Sequence, residues 1–153
     1  PTFVLSSPND CIMRSILFAL ALLATFSATA QAQDSDLELV AQTLNYYLEG
    51  GTNNDFATLS KAFHPTATMK FVGEEYKEVN ALEFFEKGIK PGPPQDRQTR
   101  IVSVSITGNA AHAQLEIEYS TFMFVDYMNL LKIDGEWKIV GKIFYRKMKH
   151  NGE

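Results

Sequence analysis

The sequence is short of the residues on which covalent and metal-dependent chemistry is built. It holds 1 cysteine, Cys11, in 153 residues. A single thiol cannot close an intrachain disulfide, and it excludes the paired-cysteine spacings of zinc and redox sites. The histidines are His64, His112 and His150. None sits at a metal-ligand spacing from another or from a carboxylate, so no metal centre is expected. No serine stands in a nucleophile-elbow pattern, and no glycine-rich phosphate or dinucleotide loop exists, so no cofactor is expected either. Positive charge is also scarce: 14 Lys and Arg stand against 18 Asp and Glu, a net charge of −4. That balance gives no sequence-independent attraction to nucleic acid or to an anionic membrane.

Long apolar runs are lacking except at the N-terminus. Met13-Arg14 leads into an apolar stretch from Ile16 to Phe26, followed by the small-residue patterns Ala28-Thr29-Ala30 and Ala30-Gln31-Ala32. A charged start, a short apolar centre and a small-x-small site describe a secretory signal peptide at 13–32. The run is too short to span a bilayer comfortably. Residues 1–12 read as an upstream extension or a mis-called start, and the mature domain as 33–153. The expected location is therefore outside the cytoplasm, periplasmic or secreted, with no stable membrane insertion after cleavage.

What is present is one domain's worth of amphipathic pattern. Apolar residues make up 45% of the chain, a globular composition. Leu37, Val40, Leu44, Tyr47 and Leu48 recur at helical spacing behind a Ser35–Glu38 capping box, and Gly50-Gly51 is expected to stop that helix. Asp55 caps a second helix burying Phe56, Leu59 and Phe63, which His64-Pro65 is expected to end. "TATMKFV" alternates as a strand with Ala67, Met69 and Phe71 on one side, and "YKEV" follows a turn at Gly73. Asn80 with Glu83 opens a third helix carrying Leu82 and Phe85 inward. The Pro- and Gly-rich stretch from Ile89 to Thr99 is too long for a simple turn and is expected to cover something.

From residue 98 onward the pattern is strand. A two-residue loop at Gly108-Asn109 pairs Thr107 with Ala110, Ile106 with Ala111, Val104 with Ala113 and Val102 with Leu115. That register sorts one dry face from one bearing His112, Gln114, Glu116 and Glu118. At Asp134-Gly135 two registers compete. A two-residue turn pairs Ile133 with Glu136, whereas a three-residue loop pairs Leu131 with Trp137. The second collects Val125, Tyr127, Asn129, Leu131 and Ile133 with Trp137, Ile139 and Ile143, and sets Asp126 opposite Lys142 as a cross-strand pair on the wet or subunit-facing side. It is the register expected here. It leaves Phe124, Met128, Leu130, Val140 and Phe144 as an outer apolar strip, which a homodimer would cover.

Helices followed by long antiparallel strands make an α+β domain, with three N-terminal helices against one curved sheet. The stretches "YLEGG", "AFHP" and "DYMNLLKIDGEWKIVGKIF" resemble the cone-shaped nuclear transport factor 2-like (SnoaL-like) superfamily, and within it the lumazine-binding branch. The resemblance spans Leu37 to Tyr145 and implies a curved antiparallel sheet closed into a cone. That fold hosts adaptors, isomerases, dehydratases and binders, so it does not by itself name an activity. Against the superfamily's ketosteroid isomerase pattern, the helix tyrosine falls on Tyr47, the general base on Phe71 and the late-strand acid on Asn129. A phenyl ring cannot abstract a proton, which excludes isomerisation of that kind.

The expected pocket accordingly comprises Tyr47, Phe71, Phe85, Tyr119, Tyr127 and Asn129, around a small, largely apolar or aromatic ligand. No catalytic residue is assigned. The alternative is an isomerase, dehydratase or hydrolase of the same fold, with Asp126, Lys142 and His64 as the only candidates for its chemistry. An open cone with a carboxylate or histidine projecting into it would favour that alternative.

Overall fold

A computed structural model describes residues 35–149 of the chain. The expected signal peptide and upstream extension lie outside them. Helix α1 covers residues 35–52, followed by α2 (Phe56–Ser60), β1 (Phe63–Val72), β2 (Tyr76–Asn80) and α3 (Ala81–Gly88). Then come β3 (Gln98–Thr107), β4 (Ala110–Glu118), β5 (Phe122–Ile133) and β6 (Glu136–Met148). The strands form one six-stranded sheet in the order β2-β1-β6-β5-β4-β3. Every neighbouring pair is antiparallel except β1 with β6, which run parallel. The α+β class therefore holds, with two helices before β1 and the third between β2 and β3.

α1 buries Val40, Leu44, Tyr47 and Leu48 as its spacing predicts, whereas Leu37 is exposed. Ser35, expected to cap the helix, is itself helical, and the residues ahead of it lie outside the described part. The helix does not stop at Gly50-Gly51. It runs to Thr52 and closes on Asn54, whose φ of 55° is left-handed, with the Asp55 amide donating to the Gly50 carbonyl at 2.8 Å. An asparagine takes the left-handed capping position that glycine usually fills. The two glycines serve packing instead. A Cβ on Gly50 would stand 2.3 Å from the Leu59 amide nitrogen, so its absence lets α2 lie against α1. Asp55 caps α2 as expected, accepting from the Thr58 amide at 3.1 Å.

α2 also ends earlier than His64-Pro65, at Ser60, and Phe63, His64 and Pro65 already belong to β1. The five-residue helix leaves Phe63 to reach the core from the strand. Ala67 and Met69 are buried along β1 as expected, and Asn80 accepts from the Glu83 amide at 3.1 Å to start α3. In the β3–β4 hairpin the pairs from Thr107–Ala110 to Val104–Ala113 are as expected. A bulge between Ile101 and Ser103 then sets Ile101, not Val102, opposite Leu115, and Val102 is exposed. One extra residue reverses the face of everything beyond it.

The register at Asp134-Gly135 is the other of the two considered. Asp134 and Gly135 both take positive φ, 51° and 87°, as a two-residue type I′ turn requires. Ile133 pairs with Glu136, Leu131 with Lys138 and Leu130 with Ile139; a bulge follows, after which Asn129 meets Gly141 and Met128 meets Lys142. Asp126 lies opposite Phe144, not opposite Lys142. Hence Met128, Leu130, Trp137 and Ile139 are core, and the outer strip expected from Phe124, Met128, Leu130, Val140 and Phe144 is corrected: Met128 and Leu130 are fully buried, and Phe124 and Phe144 pack on the core.

Candidate functional site

Three polar side chains converge inside the sheet's concave face. Asp126 on β5 is 1% exposed and Lys142 on β6 is 4% exposed. The two form an ion pair between Asp126 Oδ1 and Lys142 Nζ. From α1, the buried Tyr47 hydroxyl donates to Asp126 Oδ2 at 2.7 Å. Each arrives for a structural reason. The pairing of β4 with β5 puts Asp126 beside Leu115 on the dry face. The bulge near Val140 turns Lys142 to the same side, and Tyr47 lies on the core stripe of α1.

Taking a carboxylate and an ammonium out of water is costly, and their attraction repays it only with good geometry and further hydrogen bonds. Tyr47 supplies one for Oδ2. Oδ1 is engaged by the Lys142 ammonium in the ion pair. The ammonium lies 4.6 Å from the Phe144 ring centroid and 5.6 Å from that of Tyr47, so two aromatic faces share its charge. Burial lowers the Lys142 pKa, opposed by the Asp126 charge and hydrogen bond. Burial also raises the Tyr47 pKa well above the ordinary phenol value, reinforced by the charge and hydrogen bond of Asp126. Tyr47 is thus a donor, never an anion, at neutral pH.

These groups border a cavity of about 270 Å³ whose walls include Phe84, Phe85, Ile89, Tyr119, Phe124 and Phe144. Its rim is built by the loop after α3, which does cover something. Arg97 donates to Thr52 Oγ1 at 2.9 Å, to the Tyr119 hydroxyl at 2.9 Å and to the Leu48 carbonyl at 3.0 Å. Tyr119 in turn donates to Gln95 Oε1 at 2.7 Å, and Gln95 Nε2 donates to the Gly51 carbonyl at 3.0 Å. The guanidinium can come this close only because position 51 has no Cβ, which would meet Arg97 Nη2 at 2.4 Å. Arg97 is a brace, with three of its N–H groups donated to protein acceptors.

A second hollow, of about 310 Å³, lies between α1 and the β5–β6 turn, bordered by Tyr46, Lys61, Trp137 and Lys138. Its Lys138 is engaged on the surface, pairing with Glu136 at 2.9 Å and donating to the Lys61 carbonyl at 3.0 Å. The aromatic cavity is the better candidate because it alone of the two encloses a buried carboxylate and amine. Among the described residues, no cluster of histidine, cysteine and acidic side chains could hold a metal.

Of the expected pocket residues, Tyr47, Phe85 and Tyr119 border the cavity. Phe71 stands behind its wall, stacked on Phe144 with centroids 4.9 Å apart. Tyr127 and Asn129 are not inside. Both are exposed on the outer face, where His112 Nδ1 lies 3.2 Å from Asn129 Oδ1 and its ring stacks on Tyr127. Asp126 and Lys142, expected on the wet side, are at the cavity's base instead. His64 is remote from them, pairing its Nδ1 with the Thr66 hydroxyl at 2.9 Å. Arg97 and Gln95 went unassigned in the sequence. One signal could have placed Asp126: the turn Tyr119–Phe122, which joins the paired Glu118 and Met123, fixes the parity that pairs Asp126 with the inward Leu115.

Strand order, the three helices and the enclosed cavity define the nuclear transport factor 2-like cone. Residues 35–145 match the family described as "Putative lumazine-binding", and the chain belongs to it. Among solved structures, a nuclear transport factor 2-like protein of unknown function from Methylobacillus flagellatus KT is 31% identical. The match covers 76% of this chain and 94% of that one, with a TM-score of 0.65. A similar protein from Shewanella baltica OS155 is 28% identical with a TM-score of 0.67, covering 73% and 94%. Among curated proteins, the aldolase FrzH of a Cladobotryum species is 24% identical over 114 residues, 72% of this chain and 91% of that protein.

Proposed function

We propose that this domain binds a small, flat, largely aromatic molecule in the cone, with one polar group of the ligand set against Asp126. The observation that carries this is the buried Asp126 carboxylate, held by Lys142 and Tyr47, at the base of an aromatic-walled cavity. Apolar walls provide the affinity and the few polar groups fix orientation. The lumazine-binding description of the family supports a ligand of this shape. Tyr47, Phe85 and Tyr119 contact it, and Phe71 backs the wall. The domain does this after export, with residues 13–32 removed, and as a homodimer. Tyr127, Ile143 and Tyr145, exposed by 36%, 52% and 68%, supply an apolar strip on the outer sheet face for a second copy. The test is an unbiased ligand screen by native mass spectrometry. The ligand found should be weakened by roughly 1–3 kcal/mol in Asp126→Asn, the cost of losing a charged hydrogen-bond partner. Unchanged affinity in that variant would refute the orientation.

A second reading is favoured by one specific observation. A buried carboxylate and a buried amine both project into the cone, the feature by which an enzyme of this fold differs from a pure binder. In that reading the same cavity holds a substrate, and Asp126 exchanges protons with it.

A further inference from the structure

We infer that Lys142 is a covalent nucleophile toward carbonyl compounds, forming an imine with an aromatic aldehyde or ketone held in the cone. The inference rests on the enzyme reading of the cavity and names its substrate class. Lys142 borders the cavity although it is almost wholly buried, so its amine meets a bound molecule and very little bulk water. Burial disfavours its charged form and outweighs the support that Asp126 and the faces of Phe144 and Tyr47 give that charge. Desolvated amines in apolar pockets are the ones that lose their proton readily enough to attack carbonyls.

The neighbouring groups complete the proton inventory. Asp126 Oδ1 is in contact with the ammonium and takes one proton from it. The freed amine forms the C–N bond to the carbonyl carbon, the C=O π pair moves to oxygen, and one proton passes from the attacking nitrogen to that oxygen, which becomes a hydroxyl. Asp126 returns its proton to that hydroxyl, the C–O bond breaks and water leaves. An ammonium and a carbonyl thus give a protonated imine and one water, with the charge unchanged and Asp126 again a carboxylate. Tyr47 keeps Oδ2 occupied throughout, so that Oδ1 is the oxygen that shuttles. Arg97 braces the rim through Thr52, Tyr119 and Leu48.

The experiment treats the full chain with benzaldehyde and sodium cyanoborohydride at neutral pH and maps the reduced adduct by peptide mass spectrometry. Lys142 should be modified at least about tenfold faster than exposed lysines such as Lys147 and Lys149. The double variant Asp126→Asn/Lys142→Met, which removes both charges together, should lose the fast phase and keep the slow one. Ligand-observed NMR with benzyl alcohol, which cannot form an imine, separates the two levels of the argument. If benzyl alcohol binds and Lys142 is labelled no faster than Lys147, the covalent role is overturned and the binding cavity stands. If neither compound binds and no labelling preference exists, both fall.

Discussion

The buried Asp126–Lys142 pair makes a quantitative test of the site possible. Lys142→Met leaves a carboxylate that is 1% exposed with Tyr47 as its remaining hydrogen-bond donor. Removing one partner of a buried ion pair costs about 3–5 kcal/mol, because the other charge stays desolvated and uncompensated. The Tyr47 bond survives and places the expected loss at the lower end, about 3 kcal/mol. Asp126→Asn strands the ammonium instead. The Phe144 ring at 4.6 Å eases its burial, and the lysine can shed its proton, so the loss is again about 3 kcal/mol. Asp126→Asn/Lys142→Met removes both charges, and Asn can still accept from Tyr47, so it should cost no more than about 2 kcal/mol. The coupling is then about 4 kcal/mol, above the usual range for touching residues because both charges are out of water. Urea denaturation measures it. With a slope of about 1–3 kcal/mol/M, each single variant should lower the midpoint by about 1–3 M. Single losses that simply add up in the double variant would show the two groups to be hydrated separately, and the buried-pair reasoning would fail.

Four further outcomes follow from named contacts. Asn129→Leu, on the outer face, should shift stability by no more than about 0.5 kcal/mol and leave the affinity of any cone ligand unchanged, measured by urea denaturation and calorimetry. Gly50→Ala should destabilise by about 1–3 kcal/mol, since its Cβ would meet backbone atoms of Leu59 and Asp55 that cannot step aside. Asp36 accepts from Trp137 Nε1 at 3.1 Å and pairs with Lys132 at 2.7 Å; the Lys132 hydrogen bond first and the Trp137 bond second hold its pKa below the ordinary 3.8. A depressed carboxylate stabilises the fold above its unfolded pKa, and that contribution is lost as pH falls through the folded value. The fluorescence of the single tryptophan should therefore change below about pH 4 in the parent and not in Asp36→Asn. Finally, the chain lacking residues 1–32 should keep its melting temperature within about 2 °C, because the apolar stripes that the sequence assigns to the domain all begin after that segment.

The sequence by itself determined the class of fold and most of its elements. Periodicity placed α1 and its buried face at Val40, Leu44, Tyr47 and Leu48, and the Asn80 cap placed α3. Gly108-Asn109 set the register of the first hairpin as far as Val104. Such signals are local: each depends on residues within a few positions of one another, and the chain carries them wherever it folds. What sat beyond them was decided by tertiary structure. The strand from Phe124 to Leu131 is apolar on both faces, so hydrophobic sorting could not say which face turns inward. The left-handed Asp134, the bulge near Val140 and the pairing of Asp126 with Leu115 made that choice together. A bulge is one residue, yet strand side chains alternate with a period of two, so each bulge exchanges inside for outside. That parity moved Asn129 to the surface and drew Asp126 and Lys142 into the cone. Tyr47 could be read as buried from its own helix, but its partner 79 positions later is a fact of three dimensions alone.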